Sequence, residues 1–200
     1  MAKARVWMAA CLLTGSAVSL AAQEHRAEAK FASGGHVRMD LGVGDYKIVP
    51  GGSDEVVVTW TGRTADRSHA EVKVSGDEAK VTTSSPHMGN SDVHFTIELP
   101  QKSDVRANVS VGDVTVGAFE GDEEVELTVG DLKVEVSDPK GFAEVDASTR
   151  IGDVNAGPLE VESKGFLGKS IHWTGPGKHR LKAHVGTGDL NIIDAAKATM

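Results

Sequence analysis

The sequence predicts an all-β protein, a single domain of short strands stacked as a β-solenoid, and three observations support this fold class. Apolar and polar residues alternate through most of the chain after residue 30, as they do in strands, whose successive side chains point to opposite faces. Gly-Asp pairs recur along the chain, and five of them share the same surroundings. The apolar spacing of a helix, every three or four residues, does not occur after residue 30.

The chain opens with a predicted secretory signal peptide at residues 1–23. Lys3 and Arg5 precede an uncharged apolar run that ends in small residues, which is the order of segments in an export signal. The alternatives are a membrane anchor, for which the apolar run is short, and a lipoprotein modified at Cys11, which few apolar residues precede. We therefore predict an exported protein in the periplasm, on the cell surface or outside the cell.

Residues 24–200 are predicted to form one domain, and its 177 residues are enough to bury a core. This part has 19 Lys and Arg against 29 Asp and Glu, a net charge of −10. The acidic balance argues against nucleic acid as a partner and against docking on anionic lipid. The only cysteine lies in the predicted signal peptide, so we expect no disulfide, thiolate nucleophile or thiolate metal site in the mature chain. No cofactor is predicted. We also expect no transmembrane segment after cleavage.

The run VHFTIELP at residues 93–100 is the plainest predicted strand. Its apolar side chains, from Val93 to Leu99, occupy alternate positions and share one face, while the polar ones share the other. Pro100 ends the strand, because proline has no N–H to donate to a neighbouring strand.

Five Gly-Asp pairs each divide an alternating run in two. After each pair the alternation resumes one residue out of phase, which in a straight strand would turn every later apolar residue toward solvent. A bend or bulge cancels the shift, because glycine tolerates the positive φ that it needs and aspartate can bond nearby amides. The predicted corners are Gly44-Asp45, Gly112-Asp113, Gly130-Asp131, Gly152-Asp153 and Gly188-Asp189.

The corners predict that the apolar residues on both sides of each pair face one core. A short-period repeat of strand, corner and strand is typical of a solenoid or β-helix, and roughly 20 residues per rung would give about nine rungs. A two-sheet β-sandwich of hairpins is the alternative. The predicted core includes the last residue before each corner, namely Val43, Val111, Val129, Ile151 and Thr187.

The repeat is regular over about residues 93–193 and less regular before them. The first corner glycine, Gly44, lies 68 residues before the next one, Gly112. Two polar stretches in this interval, RTADRSHAE at 63–71 and TTSSPHMGNSD at 82–92, are predicted to be loops.

The segment FTIELPQKSDVRANVSVGDVTVGAFEGDEEVELTVGDLKVE, residues 95–135, joins a strand ending in Leu-Pro to repeated Gly-Asp-apolar-x-Val units. In this it resembles the bacterial putative-adhesin family, a domain of unknown function with a Gly-Asp repeat β-solenoid fold. The likeness extends loosely over residues 31–193, and the stretch 51–90 departs from it. The resemblance implies an exported periplasmic or surface protein with adhesin-like architecture, and it brings no catalytic residues to this chain.

Asp113, Asp131 and Asp153 are the candidate metal ligands. If the units stack in register, these carboxylates meet at one corner, and Ca²⁺ would relieve their repulsion. Calcium-binding β-rolls carry denser aspartates in a glycine-rich nonapeptide. The favoured interpretation is therefore that no metal binds and that each aspartate caps its own turn and faces water.

Other motifs favour structural roles over catalysis. GFLGKS at residues 165–170 resembles the end of a phosphate-binding loop, but Ser163 stands where that motif needs a glycine, and no helix pattern follows. His172, His179 and His184 lack the spacing of zinc-enzyme ligands. The Gly-x-Ser-x-Gly motif of α/β-hydrolases does not occur. We therefore predict no catalytic or cofactor-binding residue.

Aromatic residues are too few to indicate a sugar-cleaving cleft. They make up 4% of the chain, and Trp60 and Trp173 fall on strand-like segments where burial is the simpler role. A carbohydrate-active enzyme on a β-helix scaffold is therefore the least favoured function.

Two non-enzymatic functions remain. The first is an adhesin-like binding module of the cell surface or periplasm, with an unknown protein or glycan as partner. The second is a structural, self-assembling envelope protein, because the end rungs of a solenoid expose unpaired strand edges unless they are capped. No clear cap is evident in the sequence, so edge-to-edge self-association is a further hypothesis.

Overall fold

The computed structural model of the protein describes residues 24–86 and 92–198. Over these residues the chain is all-β, which confirms the predicted class, and it forms two eight-stranded mixed sheets. The predicted signal peptide and Cys11 lie outside the described residues. No helix in the described part has the length and apolar character needed to cross a bilayer.

The strands divide equally between the two sheets. In spatial order, the first sheet contains β1 (His25–Lys30), β4 (Glu55–Thr61), β7 (His94–Pro100), β3 (Asp45–Gly51), β9 (Val114–Val116), β11 (Leu132–Val136), β16 (Leu190–Asp194) and β13 (Val154–Ala156). The second contains β14 (Ser170–Thr174), β12 (Phe142–Ile151), β15 (His179–Thr187), β10 (Glu123–Val129), β8 (Asp104–Val111), β2 (His36–Val43), β6 (Glu78–Ser84) and β5 (His69–Ser75). One short helix, α1, follows at Ala195–Ala198, and 3₁₀ turns lie at Ala65–Arg67, Pro139–Gly141 and Gly157–Leu159.

The described chain contains six two-strand units, each with one strand in the second sheet followed by one in the first, and in five of them a Gly-Asp corner joins the two strands. The units pair in parallel and in the same spatial order in both sheets. Six units are fewer than the nine predicted, because hairpins and connections use part of the chain. In spatial order the units are β6–β7, β2–β3, β8–β9, β10–β11, β15–β16 and β12–β13.

The core lies between the two sheets and draws apolar side chains from every unit. The strand at residues 93–100 is confirmed, since Val93, Phe95, Ile97 and Leu99 are all at most 1% exposed. Trp60 is buried as predicted, whereas Trp173 is half-buried and packs against the edge of the core.

The five predicted corners are confirmed as backbone turns. Their glycines have φ between +132° and +156°, a range that side chains disfavour. The corners are also stacked closely: a Cβ placed on Gly112 would lie 1.9 Å from the Gly44 carbonyl oxygen, and one on Gly130 would lie 2.1 Å from that of Gly112. Glycine is therefore required at these positions for both its conformation and its small size.

At three of the five corners the residue before the glycine is an exposed apolar side chain, and at none is it buried, so the prediction that this residue faces the core is wrong. Val111, Val129 and Ile151 are 39%, 43% and 54% exposed, while Val109 and Leu127, two positions earlier, are buried. The inward–outward alternation therefore breaks at the residue directly before the glycine, and the side chain of this residue points outward. The remaining members of the set are the half-buried Val43 and the exposed Thr187.

The two predicted loops are partly wrong. β5 begins at His69 and β6 continues to Ser84, inside both polar stretches. Their residues pair with each other in an antiparallel hairpin, from His69 opposite Ser84 to Ser75 opposite Glu78. Pairing between strands thus overrides the polar composition. Residues 87–91 of the second stretch lie outside the described residues.

Antiparallel strands border the parallel units, although no cap was evident in the sequence. β1 and β4 border them in the first sheet, β5 lies at the same end of the second sheet, and β14 lies at the other end. The first-sheet edge strand β13 is only three residues long. Charged side chains on β1 and a short β13 are features that limit pairing between exposed edges. Edge-to-edge association remains a hypothesis.

Candidate functional site

The outward side chains of the second sheet form a continuous polar face. Successive outward residues of one strand lie two positions apart, and neighbouring strands lie about 4.8 Å apart, so the parallel register arranges these side chains in rows. One row, here called the charged row, takes one residue from each of seven strands. Its members, each in register with the next, are Lys80, Arg38, Arg106, Glu124, Lys182, Asp146 and His172.

A cavity of about 250 Å³ opens on the polar face where β2, β8, β10 and β15 lie side by side. Charged side chains of both signs surround it, which suits a charged or strongly polar ligand group. The lining includes His36, Arg38, Asp104, Arg106, Asp122, Glu124, Arg180 and Lys182.

Ion pairs hold the side chains around this cavity in place. Arg180 binds Asp122 through its backbone N–H at 2.9 Å and through Nη2 at 3.0 Å. Burial raises the pKa of Asp122, but the hydrogen bonds and charge of Arg180 outweigh it and hold that pKa below its ordinary value. Arg106 lies 3.3 Å from Glu124. Asp122 and Arg180 are therefore fixed, charged groups at the rim.

At the β14 end of the polar face, Glu144, Asp146 and His172 come together. Glu144 and Asp146 alternate on β12, and His172 lies opposite Asp146 on β14. One ligand atom from each lies within 4.8 Å of the others, and His172 Nδ1 is 2.6 Å from Asp146 Oδ1. The hydrogen bond and charge of Asp146 raise the pKa of His172. An imidazole and two carboxylates are donors that suit Zn²⁺ or another divalent metal.

This cluster was not predicted from the sequence. Histidine spacing along the chain does not reveal it, because His172 and Asp146 are 26 residues apart and meet only through the pairing of their strands. The available signal was Glu144-x-Asp146, which places two carboxylates on one strand face. His179 and His184, the other two histidines considered, are not part of the cluster.

Ser148 and His184 form a second pair on the polar face, with Ser148 Oγ 3.0 Å from His184 Nδ1. A serine nucleophile also needs backbone or side-chain donors aimed at the developing oxyanion. Ser148 lies on β12, which is paired on both sides, so backbone N–H groups there are used by the sheet. The geometry accounts for the pair as a hydrogen bond between neighbouring strands.

Solved structures of bacterial proteins resemble this chain. A putative cell adhesion protein from Clostridium sporogenes ATCC 15579 has a TM-score of 0.55 and 16% identity, over 87% of this chain and 100% of that chain. The two share a fold. A putative adhesin from Bacteroides fragilis NCTC 9343 covers 85% of this chain and 97% of that chain at 10% identity, with a TM-score of 0.28. Neither a family model nor a curated protein sequence matches the chain.

The corner aspartates form a ladder along the edge between the sheets. In each step, Oδ1 of one aspartate accepts a hydrogen bond from the backbone N–H of the next, at 2.9–3.4 Å. Four of the five side chains, all but that of Asp153 at the end of the ladder, thus cap the neighbouring unit instead of their own turn. Asp113 and Asp131 are adjacent, but Asp189 separates Asp131 from Asp153. The spatial order is Asp45, Asp113, Asp131, Asp189 and Asp153.

We expect the melting temperature to be the same in excess calcium and in chelator. Oδ1 of Asp113 and of Asp131 already accepts a backbone hydrogen bond, so calcium binding would disrupt the ladder. Differential scanning calorimetry of the purified chain in each buffer, with magnesium as a control ion, tests this. A higher melting temperature in calcium alone would support the calcium hypothesis for Asp113, Asp131 and Asp153.

We expect Asp146→Asn to lower the pKa of His172. The Asp146 hydrogen bond is the largest cause of the raised value, and its charge adds to the effect. NMR titration of the His172 ring protons measures the change directly. Asp40→Asn, on the same face but paired with Lys80 at 2.9 Å, is the control and should leave His172 unchanged. A His172 pKa that is equal in the Asp146 variant and the parent would contradict the assignment.

Proposed function

We propose that this chain is an exported, non-enzymatic, adhesin-like β-solenoid protein whose polar face binds a charged partner, either a protein or an anionic glycan, in the periplasm or at the cell surface. The observation that carries the proposal is the charged row. It places seven side chains at the strand spacing on one open surface, so an extended partner could contact several of them at once.

The charges of the row favour a partner that is negative or of mixed sign. Within the row, Lys80, Arg38, Arg106 and Lys182 supply four cations against two carboxylates, although the whole chain is acidic. Ion pairs join the first three of these cations to carboxylates of the same face, which leaves Lys182 as the cation of the row without an ion pair among the described residues. A local cationic row on an acidic protein directs binding toward one surface. The similarity in fold to a bacterial protein described as a putative cell adhesion protein agrees with this function.

The solenoid interpretation rests on the parallel pairing of six units in one spatial order. The non-enzymatic interpretation rests on the open polar face and on the use of Ser148 and His184 within the sheet. Stable ion pairs at the cavity, such as Asp122 with Arg180, suit recognition, because their geometry is set before a partner arrives.

Protease treatment of intact cells, with lysed cells as a control, tests the location. Loss of the protein from intact cells would place it outside the cell. Protection in intact cells with digestion after lysis would place it in the periplasm. Digestion in neither fraction would be uninformative about location, so a protease-sensitive reporter fused to the C-terminus provides the positive control. Detection in the cytosolic fraction alone would contradict export.

Screening of the purified chain against glycan and matrix-protein arrays tests binding. We expect Lys182→Ser, at the cavity, to weaken binding of any partner found, while Lys47→Ser, on the outer face of the first sheet, should not. Equal effects of the two variants would contradict the assignment of binding to the polar face.

A further inference from the structure

Five large apolar side chains are exposed in the described chain, and all lie along one edge. We call them the apolar ridge: Val111, Val129, Ile151, Phe166 and Leu167. The first three are the outward-turned residues before the Gly-Asp corners. Val111 lies opposite Val129, and Thr187 lies between Val129 and Ile151. The backbone N–H of Gly152 donates to the carbonyl of Leu167 at 3.3 Å, which places the last two residues beside Ile151.

Phe166 and Leu167 form the tip of a closed hairpin. Lys164 and Ser170 exchange two backbone hydrogen bonds, at 2.8 and 2.9 Å. Gly165 has φ of +135°, and a Cβ there would lie 1.9 Å from the carbonyl oxygen of Gly168. The turn is therefore tight and formed in advance. It projects the two most exposed side chains of the apolar ridge, which are 95% and 74% exposed.

Cations flank the tip on both sides. The sequence of the hairpin is Lys164-Gly165-Phe166-Leu167-Gly168-Lys169. A third cation, the exposed Arg150, is close, since a Cβ on Gly168 would lie 2.5 Å from the Arg150 carbonyl oxygen. Long cationic side chains can hold their charge at lipid headgroups while neighbouring apolar groups enter the acyl region.

We propose that this hairpin docks the protein on the surface of an anionic lipid bilayer. Phe166 and Leu167 enter the interface, and Lys164, Lys169 and Arg150 contact the headgroups. The motif GFLGKS, which resembles a phosphate-binding loop in sequence, leads into strand β14 and not into a helix. Its glycines shape the hairpin, and its lysine contacts the lipid.

A bilayer is chosen as the partner because the hairpin tip is both highly exposed and flanked by cations. An apolar tip this exposed is unusual for a surface that meets only water, and its flanking cations complement anionic headgroups. The net charge of −10 for residues 24–200 opposes approach to such a membrane. The corner aspartates add to this repulsion, because Asp153 directly follows Gly152. The bilayer contact is therefore confined to the tip of the hairpin and its flanking cations.

Vesicle co-sedimentation of the mature chain tests the proposal. We expect binding to vesicles of phosphatidylcholine with 30% phosphatidylglycerol, and weaker binding to phosphatidylcholine alone. The double variant Phe166→Ser/Leu167→Ser should bind at least tenfold more weakly. Its melting temperature should be unchanged, since both side chains are largely in solvent. Lys164→Gln/Lys169→Gln should lose the preference for anionic vesicles, while Lys102→Gln/Lys140→Gln, two exposed lysines elsewhere, should retain it.

Phe166→Trp provides a direct reporter. Its emission should shift to shorter wavelength with anionic vesicles, because the indole leaves water. Failure of the parent chain to bind vesicles, or equal binding by the serine double variant, would overturn the proposal. A parent chain that dimerises in sedimentation velocity and ignores vesicles, with a monomeric serine double variant, would overturn it in favour of a second copy as occupant. Lys182→Ser on the polar face should bind vesicles normally, which separates this test from that of the proposed function.

Discussion

Glu123→Gln will stabilise the protein at neutral pH by about 3 kcal/mol. Glu123 is 2% exposed and faces the core, in register with Val105 and Leu181. Neither carboxyl oxygen has a hydrogen-bond partner among the described residues. Burial raises the pKa of Glu123 from 4.5 to about 8, against a smaller opposing effect of the Phe119 backbone. The folded protein therefore holds a protonated carboxyl at pH 7, whereas the unfolded chain gains stability by ionising it.

The pH dependence of this difference is its strongest test. Because the pKa of Glu123 is higher in the folded chain than in the unfolded chain, Glu123 does not lower the free energy of unfolding below pH 4.5. Its destabilising effect grows from pH 4.5 to about pH 8 and is constant above that. Urea unfolding of parent and Glu123→Gln should therefore agree at pH 4 and diverge up to pH 8. Glu123→Leu should be at least as stable as Glu123→Gln, because it also removes an unpaired buried polar group. A stability difference that does not vary with pH would contradict the raised pKa.

Gly130→Ala will destabilise the protein by more than about 3 kcal/mol or prevent folding. Its φ is +132°, and the new Cβ would lie 2.1 Å from the carbonyl oxygen of Gly112. Because that oxygen belongs to the backbone of the neighbouring unit, relief requires the two units to separate. Thermal and urea unfolding measure the loss, with circular dichroism to detect an unfolded product.

Two further glycines separate the causes of this loss. Gly76 has φ of +64°, and beyond its two chain neighbours no described residue has an atom within 4 Å of an added Cβ, so Gly76→Ala should cost about 1 kcal/mol from backbone strain alone. Gly157 has open space and no positive φ, so Gly157→Ala should change little. If Gly130→Ala lowers the free energy of unfolding by no more than Gly76→Ala does, the clash with the Gly112 carbonyl oxygen does not contribute to the loss.

The periodic parts of the fold could be predicted from the sequence because their determinants are local. The strand from Val93 to Leu99 and the five Gly-Asp corners each follow from a pattern within a few residues. The outward turn of Val111 could not be predicted, since strict alternation assigns it to the core, and only the three-dimensional path of the corner shows where the phase shift occurs.

The candidate site depended on contacts between distant segments and was largely missed. Asp146 and His172 meet only because β12 pairs with β14. The charged row can be recognised only when the spatial order of all seven strands is known. Likewise, Glu123 is the middle residue of a run of three acidic residues, and such a run suggests exposure to solvent. Its burial follows from register with Val105 and Leu181.

The spatial order of the units has a consequence for how the chain reaches its native state. The last unit, β15–β16, lies between β10–β11 and β12–β13, and within the described residues β13 pairs with β16 alone. The units therefore cannot assemble one after another as they emerge from the ribosome or an export channel. Contacts between distant segments also slow folding. We infer that the C-terminal half becomes native in one late step, after residue 194 is free, and that a chain ending before β15 would leave β10–β13 incompletely paired.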